Sequence, residues 1–187
     1  MCRTTGFERR GFSLLELLVV TAVVAILLSF SVGAFSSALS GMNITRGAQS
    51  VVDAVNLARE TAASRNNAVE VVFSKDDSEG EEFFRVISGR IVGNDGRKTD
   101  VIRRQRLPSG VVLSTVDGLS SLLDGATQEA VLRIRPNGEL ELPLGAATNC
   151  FVTVVPTRDA KKEGAQLRNF AIIQVNPLTA RTAVHRP

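Results

Sequence analysis

Tryptophan and tyrosine are absent from this 187-residue chain, so nine phenylalanines are its only aromatic side chains. A surface that reads nucleic acid by base stacking would carry more rings than this. Cysteine is scarce: Cys2 stands ahead of a long apolar run and Cys150 far behind it. If that run spans a membrane, the two thiols lie on opposite sides and cannot pair. No disulfide then staples the exported part, and Cys150 reads as a small buried apolar residue. Histidine occurs once, as His185. One histidine and two separated cysteines argue against a protein-built zinc site, and no metal or other cofactor is expected. Neither sign of charge is in excess, with 22 Lys and Arg against 19 Asp and Glu, which gives no strong preference for a polyanion. Part of the small positive surplus sits at the start, where Arg3, Arg9 and Arg10 face only Glu8.

What the chain does have is FSLLELLVVTAVVAILLSFSVGAF, residues 12–35, which holds a single charge, Glu16. As a helix these 24 residues would cover ~36 Å, enough to cross a bilayer core. Arg9 and Arg10 flank the run on one side, and the first basic residue on the other is Arg46. The positive-inside rule puts residues 1–11 in the cytoplasm and the bulk of the chain outside. Past Gly33 and Gly41, the positions Ile44, Ala48, Val51, Val52, Val55, Ala58 and Ala62 recur at helical spacing. They predict an amphipathic helix with one face against a partner. Asn66 and Asn67 suit its end. The expectation is one long helix over about residues 12–66, with Gly33, Gly41 and Gly47 as places where it could bend.

Beyond residue 67 the period shortens. AVEVVFS (68–74) and FFRVISGRIV (83–92) read as strands joined by the polar loop KDDSEGEE, and GNDGRK (93–98) reads as a turn. DVIRRQRL (100–107) and GVVLSTV (110–116) follow, split by Pro108. Asn137-Gly138 between two alternating runs signals a hairpin. CFVTVVP (150–156) and NFAIIQV (169–175) are continuously apolar, as buried central strands are, and RTAVH (181–185) suits an edge. DGLSSLLDG (117–125) fits a loop or a helical turn. The fold class is α+β: an N-terminal helix whose outer half packs on an antiparallel β head, residues 67–187, of two sheets.

A carboxylate within an apolar helix costs on the order of 2–3 kcal/mol at the bilayer centre and less near an end, so Glu16 needs an explanation. A plain signal peptide is one reading. Val32-Gly33-Ala34 and Ser36-Ser37-Ala38 resemble small-residue cleavage sites, which would leave an exported soluble β protein. A simple signal anchor is another. The third follows from GFSLLELLVV, which closely resembles the N-terminal motif of type IV prepilins and type II secretion pseudopilins. The resemblance implies a basic leader, residues 1–11 with Arg9 and Arg10, cut after Gly11 by a prepilin peptidase. Phe12 becomes the N-methylated N-terminus, and Glu16 takes the fifth mature position.

Cutting there creates a cationic amine on Phe12, with Glu16 four residues on, ~6 Å along a helix. In a staggered bundle, Glu16 of one subunit can approach the Phe12 amine of its neighbour, and pairing offsets part of the cost of each charge. The implied organisation is residues 1–11 leader, 12–35 transmembrane and assembly helix, 36–66 amphipathic outer half and 67–187 head. The implied location is the bacterial inner membrane, single-pass, with a periplasmic head. The implied partners are the peptidase-methyltransferase and other pilin or pseudopilin subunits.

Leu57, Ala58, Arg59, Ala62, Arg65 and Asn66, leading into the first strand, resemble the same region of H-type minor pseudopilins (GspH/FimT-like). IIQVNPLTART resembles their "NPxTGR" turn, with Ala180 where glycine is usual. A related set is the prepilin-like Verru_Chthon cassette protein D. This resemblance implies a structural subunit of the minor class rather than an enzyme. Other clusters hold residues of the types that carry chemistry. The acidic stretch 76–82 lacks EF-hand spacing and reads as a solvated hairpin tip. Arg103, Arg104 and Arg106, with Arg133 and Arg135, could form a basic patch for a DNA-binding tip pilin. Strand alternation places Arg103 and Gln105 on one face and Arg104 and Arg106 on the other, which divides it. His185 has no Ser or Asp constellation around it, and no nucleophile motif occurs.

Overall fold

The computed structural model of the chain describes residues 13–76, 83–93, 96–141 and 149–186, with residues 29–38 as helical backbone only. Among the described residues a helix, α1 (Leu14–Arg65), is followed by nine strands. These are β1 (Ala68–Lys75), β2 (Phe84–Val92), β3 (Lys98–Arg106), β4 (Val111–Leu113), β5 (Glu129–Ile134), β6 (Leu140–Glu141), β7 (Cys150–Pro156), β8 (Ala171–Val175) and β9 (Thr182–His185). The chain divides into two compact units, Met1–Leu39 and Ser40–Pro187, with the boundary inside α1. Among the described residues no helix is long and apolar enough to cross a membrane. Residue 12 and the side chains of 29–35, part of the segment expected to span, lie outside the described residues.

In the second unit the helical stripe is buried as its spacing requires. Ile44, Ala48, Val51, Val55, Ala58 and Ala62 are buried, joined by Ala54, while Val52 is partly covered. Ile44, Val51 and Val55 each contribute ~1.5–3 kcal/mol by leaving water. Gly47, expected as a possible bend, lies inside the unbroken helix and serves a different need. A Cβ there would come within 3.1 Å of Val111 Cγ1 and 3.2 Å of Val154 Cγ1, so its lack of a side chain lets the helix approach β4 and β7. Asn66 ends the helix in the left-handed region, φ 49°, where asparagine is tolerated.

All strand pairs are antiparallel, in the order β6-β5-β1-β2-β4-β7-β8-β9, with β3 also on β2. The two expected sheets are two wings of this one ladder. One holds β6, β5, β1, β2 and β3; the other holds β4, β7, β8 and β9. A single pair, Phe84 with Leu113, joins them. Val69, Val71 and Phe73 of β1, Ile87 and Ile91 of β2, and Val152 and Val154 of β7 share the main core with the helical stripe. β7 is apolar on both faces because a second cluster, Val112, Val155, Ala160 and Leu167, lies on its other side. β8 is also interior, yet it alternates and leaves Gln174 exposed. β9 is an exposed edge, as expected.

The segment 117–125 forms turns, not a helix. It runs beside the half of β7 that β4 does not reach. Ser121 Oγ accepts from Phe151 N at 3.0 Å, Ser120 Oγ accepts from Thr153 N at 3.0 Å, and Leu122 N donates to Phe151 O at 3.2 Å. The Asn137-Gly138 hairpin closes with Gly138 alone in the left-handed region, φ 87°. Gly138 N donates to Arg135 O and Arg135 N donates to Glu139 O, the arrangement of a three-residue loop ending in a bulge rather than a two-residue primed turn.

Candidate functional site

The first unit presents an apolar helix surface. Leu14, Leu15, Leu17, Leu18, Val19 and Val20 are exposed, as are the large apolar residues onward to Leu28. The exposure runs round every face of residues 14–28. A helix that is apolar all round belongs in a membrane or inside an assembly. Thr21 Oγ1, one of its few polar groups, donates to Leu18 O at 2.9 Å, so its hydrogen bond is made within the helix.

Glu16 lies exposed in the first turn. The residue that sequence reasoning missed is Ser13. Its Oγ accepts from Leu15 N at 3.3 Å and its carbonyl accepts from Leu17 N at 3.1 Å, which makes it the cap of α1. The signal was present: Ser13-Leu-Leu-Glu16 has the spacing of a capping box. A carboxylate in the first turn also faces the positive end of the helix dipole. Glu16 thus sits where the helix end itself favours a carboxylate, before any neighbour is considered. Gly11 and Phe12, the expected processing residues, and Arg9 and Arg10, the leader charges, lie outside the described residues.

On the head, several charged groups pair in place. Glu70 of β1 is buried and pairs with Arg90 Nε at 2.7 Å and Lys98 Nζ at 3.0 Å. Burial alone would raise its pKa, but the hydrogen bonds and charges of Arg90 and Lys98 outweigh that and hold the carboxyl below its ordinary range. The expected alternation along β3 is broken. Gly89 faces Ile102 and Ile87 faces Gln105, so Arg103 and Arg104 together oppose Ser88, and a second irregularity follows at Gly89/Arg90. These bulges, common at sheet edges, leave Arg103, Arg104, Gln105 and Arg106 all exposed in place of the expected two-faced split. Arg106 pairs with Asp76, and Arg133 and Arg135 lie 3.4 and 3.8 Å from Glu141. The candidate basic patch is thereby divided by ion pairs.

Cys150 is a buried free thiol whose pKa burial pushes up, in keeping with its reading as an apolar residue; Cys2 lies outside the described residues. The acidic tip, residues 77–82, lies outside them as well. Among the described residues no group of three or more His, Cys, Asp or Glu could hold a metal ion. His185 is exposed on β9. The expected "NPxTGR" turn is present: Asn176 Oδ1 accepts from Leu178 N and Thr179 N, Ala180 N donates to Asn176 O at 2.8 Å, and Ala180 takes φ 48°.

Comparison with known proteins matches residues 7–32 to the prokaryotic N-terminal methylation motif and residues 47–169 to the family model of type II transport protein GspH. Among solved structures, the minor pseudopilin EpsH from the type 2 secretion system of Vibrio cholerae is similar. It is 14% identical, with 78% of this chain and 98% of that chain covered and a TM-score of 0.50. The type IV minor pilin FimU of Pseudomonas aeruginosa is 12% identical, with 77% and 92% covered and a TM-score of 0.48. No curated protein matched. At these identities the EpsH likeness shows a shared fold, an α+β head with an N-terminal helix.

Proposed function

The chain belongs to the GspH family of type II transport proteins, and from that premise we propose that it is a minor pseudopilin, a structural subunit of a type II secretion pseudopilus or a related type IV pilus-like filament. It is made as a single-pass inner-membrane precursor with a cytoplasmic leader, residues 1–11, and a periplasmic head, residues 67–187. Prepilin peptidase cuts between Gly11 and Phe12, and Phe12 is N-methylated. Residues 12–35 hold the subunit in the membrane and later pack among other pilin or pseudopilin subunits. Residues 36–66 carry the helix onto the head. The chain's own residues serve as substrate and as building material, and no reaction is assigned to them.

The observation that carries this reading is the presence of the methylation motif over residues 7–32 and the GspH model over residues 47–169 in one chain, with α1 running through both. The all-apolar exposed segment 14–28 supports it, because such a surface needs lipid or other helices around it. Glu16 then has two successive uses. In the monomer it suits the positive end of the helix, and in the filament it meets the Phe12 amine of a neighbour and fixes the stagger.

The test is the N-terminus of the protein recovered from its host membrane, read by mass spectrometry. The expected mature chain begins at N-methylated Phe12, and a bulky residue at position 11 leaves full-length precursor. A soluble form beginning near residue 35 or 39 would replace this reading with that of an exported protein cut by signal peptidase.

A further inference from the structure

A cavity of about 580 Å³ opens on the head, lined by Arg158, Asp159, Lys162, Gln166, Arg168 and Asn169 among others. Its one carboxylate is already committed. Asp159 is buried and accepts Lys162 Nζ at 2.6 Å, with Arg158 Nε at 3.8 Å. Arg158, Lys162 and Arg168 are exposed, and on the same loop the exposed Glu163 is offset by Lys161. The cavity therefore keeps a positive excess facing solvent.

Its place in the fold is beside the head's share of α1. Asn169 borders the head's share of α1, where a Cβ on Gly41 would lie 3.9 Å from Asn169 Nδ2. One turn along, Thr45 Oγ1 accepts from Arg186 Nη2 at 2.7 Å, and the exposed Arg46 follows. Residues four apart share a helix face, so Arg186 and the cavity flank neighbouring turns. The cavity, through Asn169, and Arg186, through Thr45, thus border the first turns of the head's helix, and the cavity's cations form a basic cluster on that side of the head. Gly41 follows residue 35 by six residues, a reach of at most ~20 Å even for a fully extended chain.

We propose that this basic cluster docks on the anionic phospholipid surface of the membrane that holds the subunit before assembly, with Arg158, Lys162 and Arg168 on headgroup phosphates. The inference rests on the reading of residues 12–35 as a membrane segment. Guanidinium groups bind phosphate oxygens in pairs, and each cation near an anionic surface favours contact by roughly fivefold. The contact orients the head on the bilayer while the subunit awaits recruitment, and it is broken when the subunit is drawn into the filament.

The experiment uses the full chain in vesicles of phosphatidylcholine, with and without about a third phosphatidylglycerol, and reads backbone amide exchange over residues 158–169. Phosphatidylglycerol is expected to slow exchange there by about tenfold, with the effect lost in high salt as screening predicts. The combined variant Arg158→Gln, Lys162→Gln, Arg168→Gln is expected to lose the slowing while its β1 amides remain protected. Arg103→Gln with Arg104→Gln is expected to keep it. Equal exchange in the two vesicles, or slowing retained by the triple variant, overturns the proposal. Equal slowing by inorganic phosphate in phosphatidylcholine vesicles also overturns it, since that would mark a free-anion site. Failure of the chain to float with phosphatidylcholine vesicles is a separate result that overturns the membrane-segment reading and this inference with it.

Discussion

Ala180 shows how a single residue can be held against its own preference. Its φ of 48° is a conformation that costs an L residue ~1–2 kcal/mol, yet its methyl group is completely buried in the main core, which offsets about 1 kcal/mol of that. Glycine would relieve the strain and lose the contact, so either residue serves at this turn. Glu70 is a sharper case. Its folded pKa is depressed, so its contribution to stability is present above the ordinary glutamate pKa, ~4.3, and is lost as pH falls through the folded value. Glu70→Gln is expected to lower stability by about 1–3 kcal/mol at neutral pH, measured by urea unfolding of the detergent-solubilised chain, with the gap to wild type closing as pH falls below the ordinary glutamate range. A gap of the same size in acid would show that the pair with Arg90 and Lys98 is not the cause. The pairing was illegible in the sequence, because it depends on which strands become neighbours. Ser13 was legible, since its spacing to Glu16 is a local pattern, and it was missed.

Among elements, the helix and most strands could be read from period alone. The stripe from Ile44 to Ala62 is buried where 3.6-residue spacing puts it, and the 150–156 run is a strand buried on both faces. What period cannot convey is distance between elements. Gly47 carries the marks of a loose point in a sequence, but in three dimensions it is the close approach of α1 to Val111 and Val154. Gly47→Leu is expected to cost about 1–3 kcal/mol by overpacking. Gly41→Ala meets only Asn169 at 3.9 Å and is expected to be neutral or to gain up to ~1 kcal/mol in helix propensity. Thermal unfolding of the two variants checks the contrast, and equal effects would remove the close-approach argument. The bulges in β3 escaped the sequence for a related reason: alternation assumes an even ladder, and an edge strand is free to depart from it. The split of the sheet into wings joined at Phe84 and Leu113 likewise depends on the partner chosen by a three-residue strand, β4.

At the scale of the whole molecule, α1 belongs to both units, and the proposed assembly role places one demand on each. Residues 14–28 offer an apolar surface with one carboxylate, and the second unit keeps a stable fold of its own. Glu16→Ala should therefore leave the head folded and cleavage after Gly11 intact, while in-cell cross-linking shows incorporation into filaments reduced by about tenfold or more, in line with loss of one partly buried charge pair. Unchanged incorporation would confine Glu16 to its local role at the helix end. The methylation motif over residues 7–32 was legible before any coordinates, because it is a short linear pattern. The head's partners were not, because a surface is read only after folding. The serines beside β7 bear on the life of such a subunit outside the filament. Ser120 and Ser121 receive β7's amides where β4 stops, so that stretch offers no open strand edge to a passing copy. At that stretch a second copy finds no strand edge to pair with, and in the proposed filament the subunit joins its neighbours through the helix instead.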